Sequence, residues 1–406
     1  MEAIIEPHGT STPDHVPHAL VRDVDLYAPP GIDGRTSADI HTVWKGVQDS
    51  HPPVFWTPRY GGHWIATRYA EIEHMLQHPA IFSSEETFIP RGVIPDMFPV
   101  CLDPPDHGPI RKLLMPAFSP KVLTKATDRA RAAAIEIIER IKPTGGCEFV
   151  HDFAGAMPII AFLTLIDLPE QDQGYLRNLA IYMSSPAHPK SAAAWEEMSG
   201  YVREKIAARR QEPRDDLITS LLHADVGGKP LTDDEVFSLC LVVVGGGLDT
   251  VVSMTSFAAC HLAQHGEIRQ RLVSEPDKLG DAVEEITRRF GTSNLGRLVA
   301  EDTVLGEARL RRGDLIVGIF PAAGLDERVN DDPMTFDLDR KRRRHLAFGT
   351  GAHTCIGNNL ARRELRIFLE EWMSRIPDFH LAPGTQPVMT TGVVNSMESL
   401  HLSWPT

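Results

Sequence analysis

Cysteine is scarce. The chain has five among 406 residues, Cys101, Cys147, Cys240, Cys260 and Cys355, and no two lie close enough in sequence to form a metal knuckle. A disulfide-built or zinc-knuckle scaffold is therefore not expected, and the thiols read as reduced and intracellular. Basic residues are also short, 41 Lys plus Arg against 55 Asp plus Glu for a net charge of -14. That balance argues against general nucleic-acid binding and against attachment to an anionic membrane, so any basic patch has to be local. The opening MEAIIEPHGTSTPDHVPHAL lacks a basic segment followed by an apolar one, so no secretory signal is expected and the expected location is cytoplasmic. A clean membrane span is missing too. The best candidate, 239–260, carries Asp249, three consecutive glycines and several hydroxyls, and reads as a buried helix of a soluble protein.

What is present suits a globular protein: 42% apolar and 24% charged residues. Periodicity predicts helices over 37–49, 69–77, 121–142, 175–184, 192–211, 278–289 and 356–375. A hairpin is predicted from 53–56 and 63–66, which flank Tyr60-Gly61-Gly62, and short strands near 309–310 and 315–319. The proline-rich stretch 88–109 excludes long helices and predicts a packed loop, a common form of lid. Helices dominate and no repeat, low-complexity tract or linker appears. The fold class expected is one mainly α domain with a small β part over 1–406, with 1–35 as an arm over the surface.

The most apolar element is a helix predicted from 232 to about 265, opened by a capping box with Thr232 as N-cap and Glu235 three places on. A helix apolar on nearly every face belongs in the middle of a large protein. Gly245-Gly246-Gly247 at its centre is anomalous, because each glycine costs up to about 1 kcal/mol against alanine there. A close approach to the backbone, or a local distortion, is the expected reason.

The most specific segment is Phe348-Gly349-Thr350-Gly351-Ala352-His353-Thr354-Cys355-Ile356-Gly357, just before the last helix. Its glycines permit a tight turn and the approach of a flat partner, and Cys355 stands at a helix N-terminus that favours thiolate, a suitable axial sulfur ligand. The segment resembles the haem-binding loop of the cytochrome P-450 haem-thiolate monooxygenases, with every fixed position filled. The likeness runs from about Trp56 to Trp404 and is nearest to the bacterial branch that includes the camphor 5-monooxygenases.

That resemblance implies haem b, with iron held by the Cys355 thiolate, lying between the long distal helix and the Cys loop with its final helix. Phe348 and Gly349 frame the cofactor, and His353, Arg297, Arg111 and His107 take its propionates. Gly246-Gly247-Leu248-Asp249-Thr250 is similar to the family's acid-alcohol signature, which makes Asp249 and Thr250 the catalytic pair for proton delivery during oxygen activation. Glu285 and Arg288 are similar to the family's Glu-x-x-Arg pair, for which the expected later arginine is Arg328. By position, Phe88, Met97, Phe98, Val100, Val242, Gly245, Leu248, Leu295, Val393 and Val394 surround the substrate.

The camphor enzyme's ketone-binding tyrosine has no counterpart between Phe82 and Arg111, so a small cyclic terpenoid or norisoprenoid, such as an ionone, is expected instead. The run Arg340-Lys341-Arg342-Arg343-Arg344, with Arg362-Arg363 on the last helix, is a local basic patch in an acidic chain. It suits docking of an acidic protein, with Arg342, Arg343 and Arg362 as the contacts. The partners implied are a [2Fe-2S] ferredoxin and its separate reductase, with no nucleic acid and no membrane. Oxygen is the co-substrate. A peroxide-driven haem enzyme of the same fold and a non-catalytic haem sensor are the alternatives.

Overall fold

The computed structural model describes residues 11–32, 35–92, 97–183 and 189–406. Residue 184, the end of one predicted helix, and parts of the arm and of the proline-rich loop lie outside these ranges.

The core forms where apolar residues recur at helical spacing on neighbouring helices. Helix Pro120–Ile141 starts after Ser119 with proline at its first position, and buries Leu123, Ala126, Ala130, Ala134, Ile137 and Ile141 along one face. It packs on Met157–Ile166 and on the final helix Asn358–Arg375. The latter buries Leu365, Phe368, Leu369 and Trp372. Phe149 and Phe153 meet the Trp372 ring edge-on at 4.8 and 5.0 Å. Each such aromatic contributes about 1.5–3 kcal/mol by leaving water.

The predicted hairpin is observed as Val54–Thr57 paired antiparallel with His63–Ala66. It is the edge of a larger, mixed sheet. Leu315–Ile319 lies parallel to His63–Ala66 and antiparallel to Asn294–Val299, which pairs in turn with Phe82–Ser83. A second sheet holds a C-terminal hairpin, Val388–Thr390 with Ser396–Ser399, whose tip spans 391–395. The described part of the N-terminal arm buries Val24, Leu26 and Tyr27, and the Tyr27 hydroxyl donates to the Ile89 carbonyl.

The predicted long helix is two helices, Asp233–Gly246 and Thr250–Gln264. The capping box is present, with the Glu235 N–H on Thr232 Oγ1 at 3.2 Å and the Thr232 N–H on Glu235 Oε2 at 2.7 Å. The break falls at Gly247, where a Cβ would sit 2.3 Å from the Phe162 ring. Close packing of Phe162 explains that glycine. At Gly245 and Gly246 a Cβ would meet nothing within 4 Å, so those two border open space. By length and composition 233–264 is apolar enough to cross a membrane, but half of its apolar window is buried within the protein.

One expectation is corrected. Glu285 does pair with Arg288, at 2.7 Å and with both side chains fully buried. The distant arginine that joins them is Arg340, not Arg328. Arg340 Nε donates to Glu285 Oε1 at 3.1 Å, and its remaining N–H groups reach the carbonyls of Asp331, Asp332 and Thr335. Arg328 is exposed, and the carboxylate beside it, Asp326, is bound by Arg68 at 2.9 Å. A charge left at 328 stays in water, whereas Arg340 exchanges water for a full set of buried acceptors.

Candidate functional site

The Cys loop is a turn that its glycines make possible. Gly349 and Gly351 have φ of +63° and +73°, a region costly for any residue with a Cβ. At Gly351 a Cβ would also lie 2.7 Å from the Leu76 carbonyl. The Cys355 N–H donates to the Phe348 carbonyl at 2.9 Å, closing the loop. Cys355 therefore sits just ahead of helix Asn358–Arg375. Burial pushes its thiol up, while the N–H groups of Gly357 and Asn358 and the charges of Arg111 and Arg362 favour thiolate. The residue is nonetheless exposed to solvent.

Beside the Cys loop gather two guanidiniums and two imidazoles, with one carboxylate among them. Arg297 is 4% exposed, donates to the Gly296 carbonyl, and is pushed down to about 10 by burial. Arg111 donates to the Thr354 carbonyl and is also lowered by burial. The His107 and His353 rings lie 4.0 Å apart. His353 is pushed down to about 3 by burial and by the neighbouring His107 and Arg297, and its buried Nε2 has no partner among the described residues. Asp103, held by the Ser84 N–H at 2.9 Å, is the acid that faces them. Two guanidiniums and two imidazoles opposite one carboxylate fit the two propionates of haem, as the Cys355 sulfur fits its iron.

Asp249 is 8% exposed, and burial raises its carboxyl. Its Oδ2 accepts from Ser396 Oγ at 2.7 Å, and Ser253, otherwise unpartnered, faces the same carboxylate. Arg177 on helix Gln173–Met183 pulls the carboxyl back down through space, yet no ion pair joins the two among the described residues. Arg177 is buried, its Nε without a partner among the described residues, and Gly155 is small because a Cβ there would be 2.3 Å from that atom. Thr250 Oγ1 makes a long contact of 3.4 Å to the Gly246 carbonyl, which leaves its hydroxyl available. Arg177 and Ser396 are absent from the sequence-predicted site. A serine among serines carries no signal, and an arginine in an amphipathic helix reads as surface.

The predicted substrate residues fall into groups. The Gly296 N–H donates to the Thr87 carbonyl and the Asn294 N–H to the Val393 carbonyl, both at 2.8 Å, and Val394 bridges to Ser293. These bonds bring Phe88, Leu295, Val393 and Val394 around one strand. Val242, Gly245 and Leu248 lie on the distal helix and its break, and Leu248 is fully buried. Met97 and Val100 belong to a turn in which the Cys101 N–H meets the Met97 carbonyl. Phe98 stands apart. Its N–H donates to Ser238 Oγ, and its ring lines a cleft of about 360 Å³, open to solvent, with Arg203, Phe237 and Leu241.

The predicted docking residues divide as well. Arg342 is exposed, as are Lys341, Arg344 and Arg363. Arg343 turns inward onto Asp281 at 3.1 Å and Glu285 at 3.6 Å. Arg362 pairs with Glu284 at 2.6 Å and covers the Phe348 ring at 4.7 Å, bracing the Cys loop.

Comparison with known proteins agrees with this geometry. Residues 161–396 match the family model described as Cytochrome P450. A probable cytochrome P450 127A1 of Sinorhizobium fredii is 33% identical over 401 residues, 97% of this chain and 96% of the relative. A steroid C26-monooxygenase of Mycobacterium tuberculosis is 30% identical, over 93% of this chain and 96% of its own length. The crystal structure of CYP101J2 superposes with a TM-score of 0.88 at 35% identity, covering 98% of this chain and 100% of that one.

Proposed function

The chain belongs to the cytochrome P450 family, and from that membership we propose that it hydroxylates a small apolar cyclic molecule, a terpenoid or norisoprenoid such as an ionone. The two electrons come from a [2Fe-2S] ferredoxin served by a separate reductase, and we place the enzyme in the cytoplasm.

The observation that carries the substrate class is the lining. Phe88, Val242, Leu295, Val393 and Val394, read as that lining, are half-buried and apolar, and two glycines on the helix of Val242 border open space. Such a surface selects by shape and burial and offers no polar handle for a ketone. When bound, haem supplies activation of oxygen for insertion into a C–H bond, with the Cys355 thiolate favouring O–O cleavage. Cys355 would hold the iron, and the N–H groups of Gly357 and Asn358 with Arg111 and Arg362 favour its thiolate against the burial that raises the thiol. Arg111, Arg297, His107 and His353 would hold the propionates. Asp249 carries protons inward and the Thr250 hydroxyl hands them on, while the apolar lining keeps bulk water from the reacting centre. Exposed Lys341, Arg342, Arg344 and Arg363 give the ferredoxin a local cationic face on a chain of net charge -14.

Titration of the ferric enzyme with ionones, cineole, camphor and a steroid, read by the low-to-high spin shift and followed by product analysis, tests this. Ionones are expected to bind tightest and to be hydroxylated with ferredoxin and reductase, with little product from peroxide alone. Preference for camphor or the steroid overturns the substrate class. Equal turnover on peroxide overturns the ferredoxin.

A further inference from the structure

We propose that Ser396 is the positioning residue for Asp249, holding the acid's carboxyl against the hairpin whose tip borders the substrate. The proposal rests on the reading of Asp249 as the residue that carries protons.

Asp249 occupies the break between two helices, with φ of −126° and ψ of −31°, and so lacks the regular helical frame that would orient its side chain. Its Oδ2 takes the Ser396 hydroxyl at 2.7 Å, across 147 residues of sequence, with both residues more than nine-tenths buried. Ser396 is itself rigidly placed. It opens strand Ser396–Ser399 and pairs with Thr390. The preceding Asn395 donates its N–H to the Thr292 carbonyl at 2.7 Å, and its Oδ1 accepts from Thr391 Oγ1 at 2.8 Å. Val393 and Val394, predicted to line the pocket, are the next residues back along the same tip, bound to Asn294 and Ser293.

The hairpin that touches substrate and the strand that holds the acid are therefore one continuous element. Two other groups act on the carboxylate. Ser253 comes from the helix that follows the break, Arg177 from helix Gln173–Met183, and Glu148 acts on Arg177. Arg177 is the competing partner, because its Nε is buried and has no partner among the described residues. A neutral hydroxyl orients a carboxylate without locking it in an ion pair, so the acid stays able to take up and release a proton. Removing the hydroxyl deprives the ionised form of a donor and lets the side chain turn.

The test follows the Asp249 carboxyl directly. In the haem-loaded protein, the infrared carbonyl stretch of protonated Asp249 is assigned by its loss in Asp249→Asn and titrated with pH in the parent, Ser396→Ala and Ser396→Thr. The midpoint is expected to rise in Ser396→Ala by about one pH unit, tenfold in acid dissociation, and to return in Ser396→Thr. Product per electron pair should fall and recover in parallel. An unmoved or lowered midpoint in Ser396→Ala overturns the proposal. If Ser396→Ala does not fold, Ser396→Cys, with a weaker donor, should give a smaller rise, and no rise there overturns it equally. The infrared midpoint does not depend on turnover, so a shifted midpoint in a chain that makes no product would sink the monooxygenase reading of Asp249 and leave the positioning role standing.

Discussion

Arg340 Nε donates to Glu285 Oε1 at 3.1 Å across 55 residues of sequence, and this contact ties the segment before the Cys loop to the helix that carries Glu285 and Arg288. Arg343 adds a longer approach to the same carboxylate. Part of the basic run is thus internal structure.

Arg340→Ala should therefore destabilise the protein by about 1–3 kcal/mol, because buried carbonyls lose their donor while Glu285 keeps Arg288. Arg328→Ala should stay within about 0.5 kcal/mol of the parent, as exposed substitutions do. Urea midpoints of the two variants decide the assignment, and equal losses would show that Arg328 also supports the network.

Replacing Cys355 by Ser should abolish the long-wavelength Soret band of the reduced carbonyl complex and the monooxygenase turnover, because a serine oxygen does not donate charge as a thiolate does. A parent-like spectrum in the purified variant would remove Cys355 from its role.

Gly245→Val should fold normally, since a Cβ at 245 meets open space. The added side chain fills room that a ligand would use, so the larger ligands should lose about 1–3 kcal/mol of binding while smaller ones lose less. Spin-shift titrations give the ranking, and an unchanged order would place Gly245 away from the ligand.

Neutralising Arg342 and Arg363 together should raise the apparent KM for ferredoxin and flatten its dependence on salt, with substrate affinity preserved. Arg343→Gln and Arg362→Gln should act differently, through stability and the Cys-loop spectrum, because both guanidiniums are engaged by carboxylates within the fold. Stopped-flow reduction over a range of ionic strength separates the two pairs of variants.

Glu364 on the final helix is 2% exposed, its Oε1 lacks a partner among the described residues, and burial raises its carboxyl well above the ordinary 4.5. A carboxyl raised in the folded state binds its proton more tightly there than when unfolded. Its contribution to stability is full below pH 4.5 and is lost as pH climbs through the folded value. Glu364→Gln should remove that loss, so the variant gains on the parent in urea midpoint between pH 5 and pH 8. A constant difference across that range would mean that Glu364 is ionised in the fold.

Elements whose signal is local are legible in the sequence. Helix 69–77 and the strand 315–319 appear at their predicted bounds, and the capping box of Thr232 and Glu235 is formed. The Cys loop was legible for the same reason, since its glycines, histidine and cysteine lie within ten residues. Tertiary structure alone decided whatever depends on distant segments meeting. Nothing local separates Arg328 from Arg340, and only the fold shows which guanidinium finds buried acceptors. The glycine triplet was anomalous on the page, but only the Phe162 ring tells Gly247 from the two that border open space. Ser396 and Arg177 gain their meaning from Asp249, 147 residues before the one and 72 after the other, because a buried carboxylate makes any neighbouring donor count.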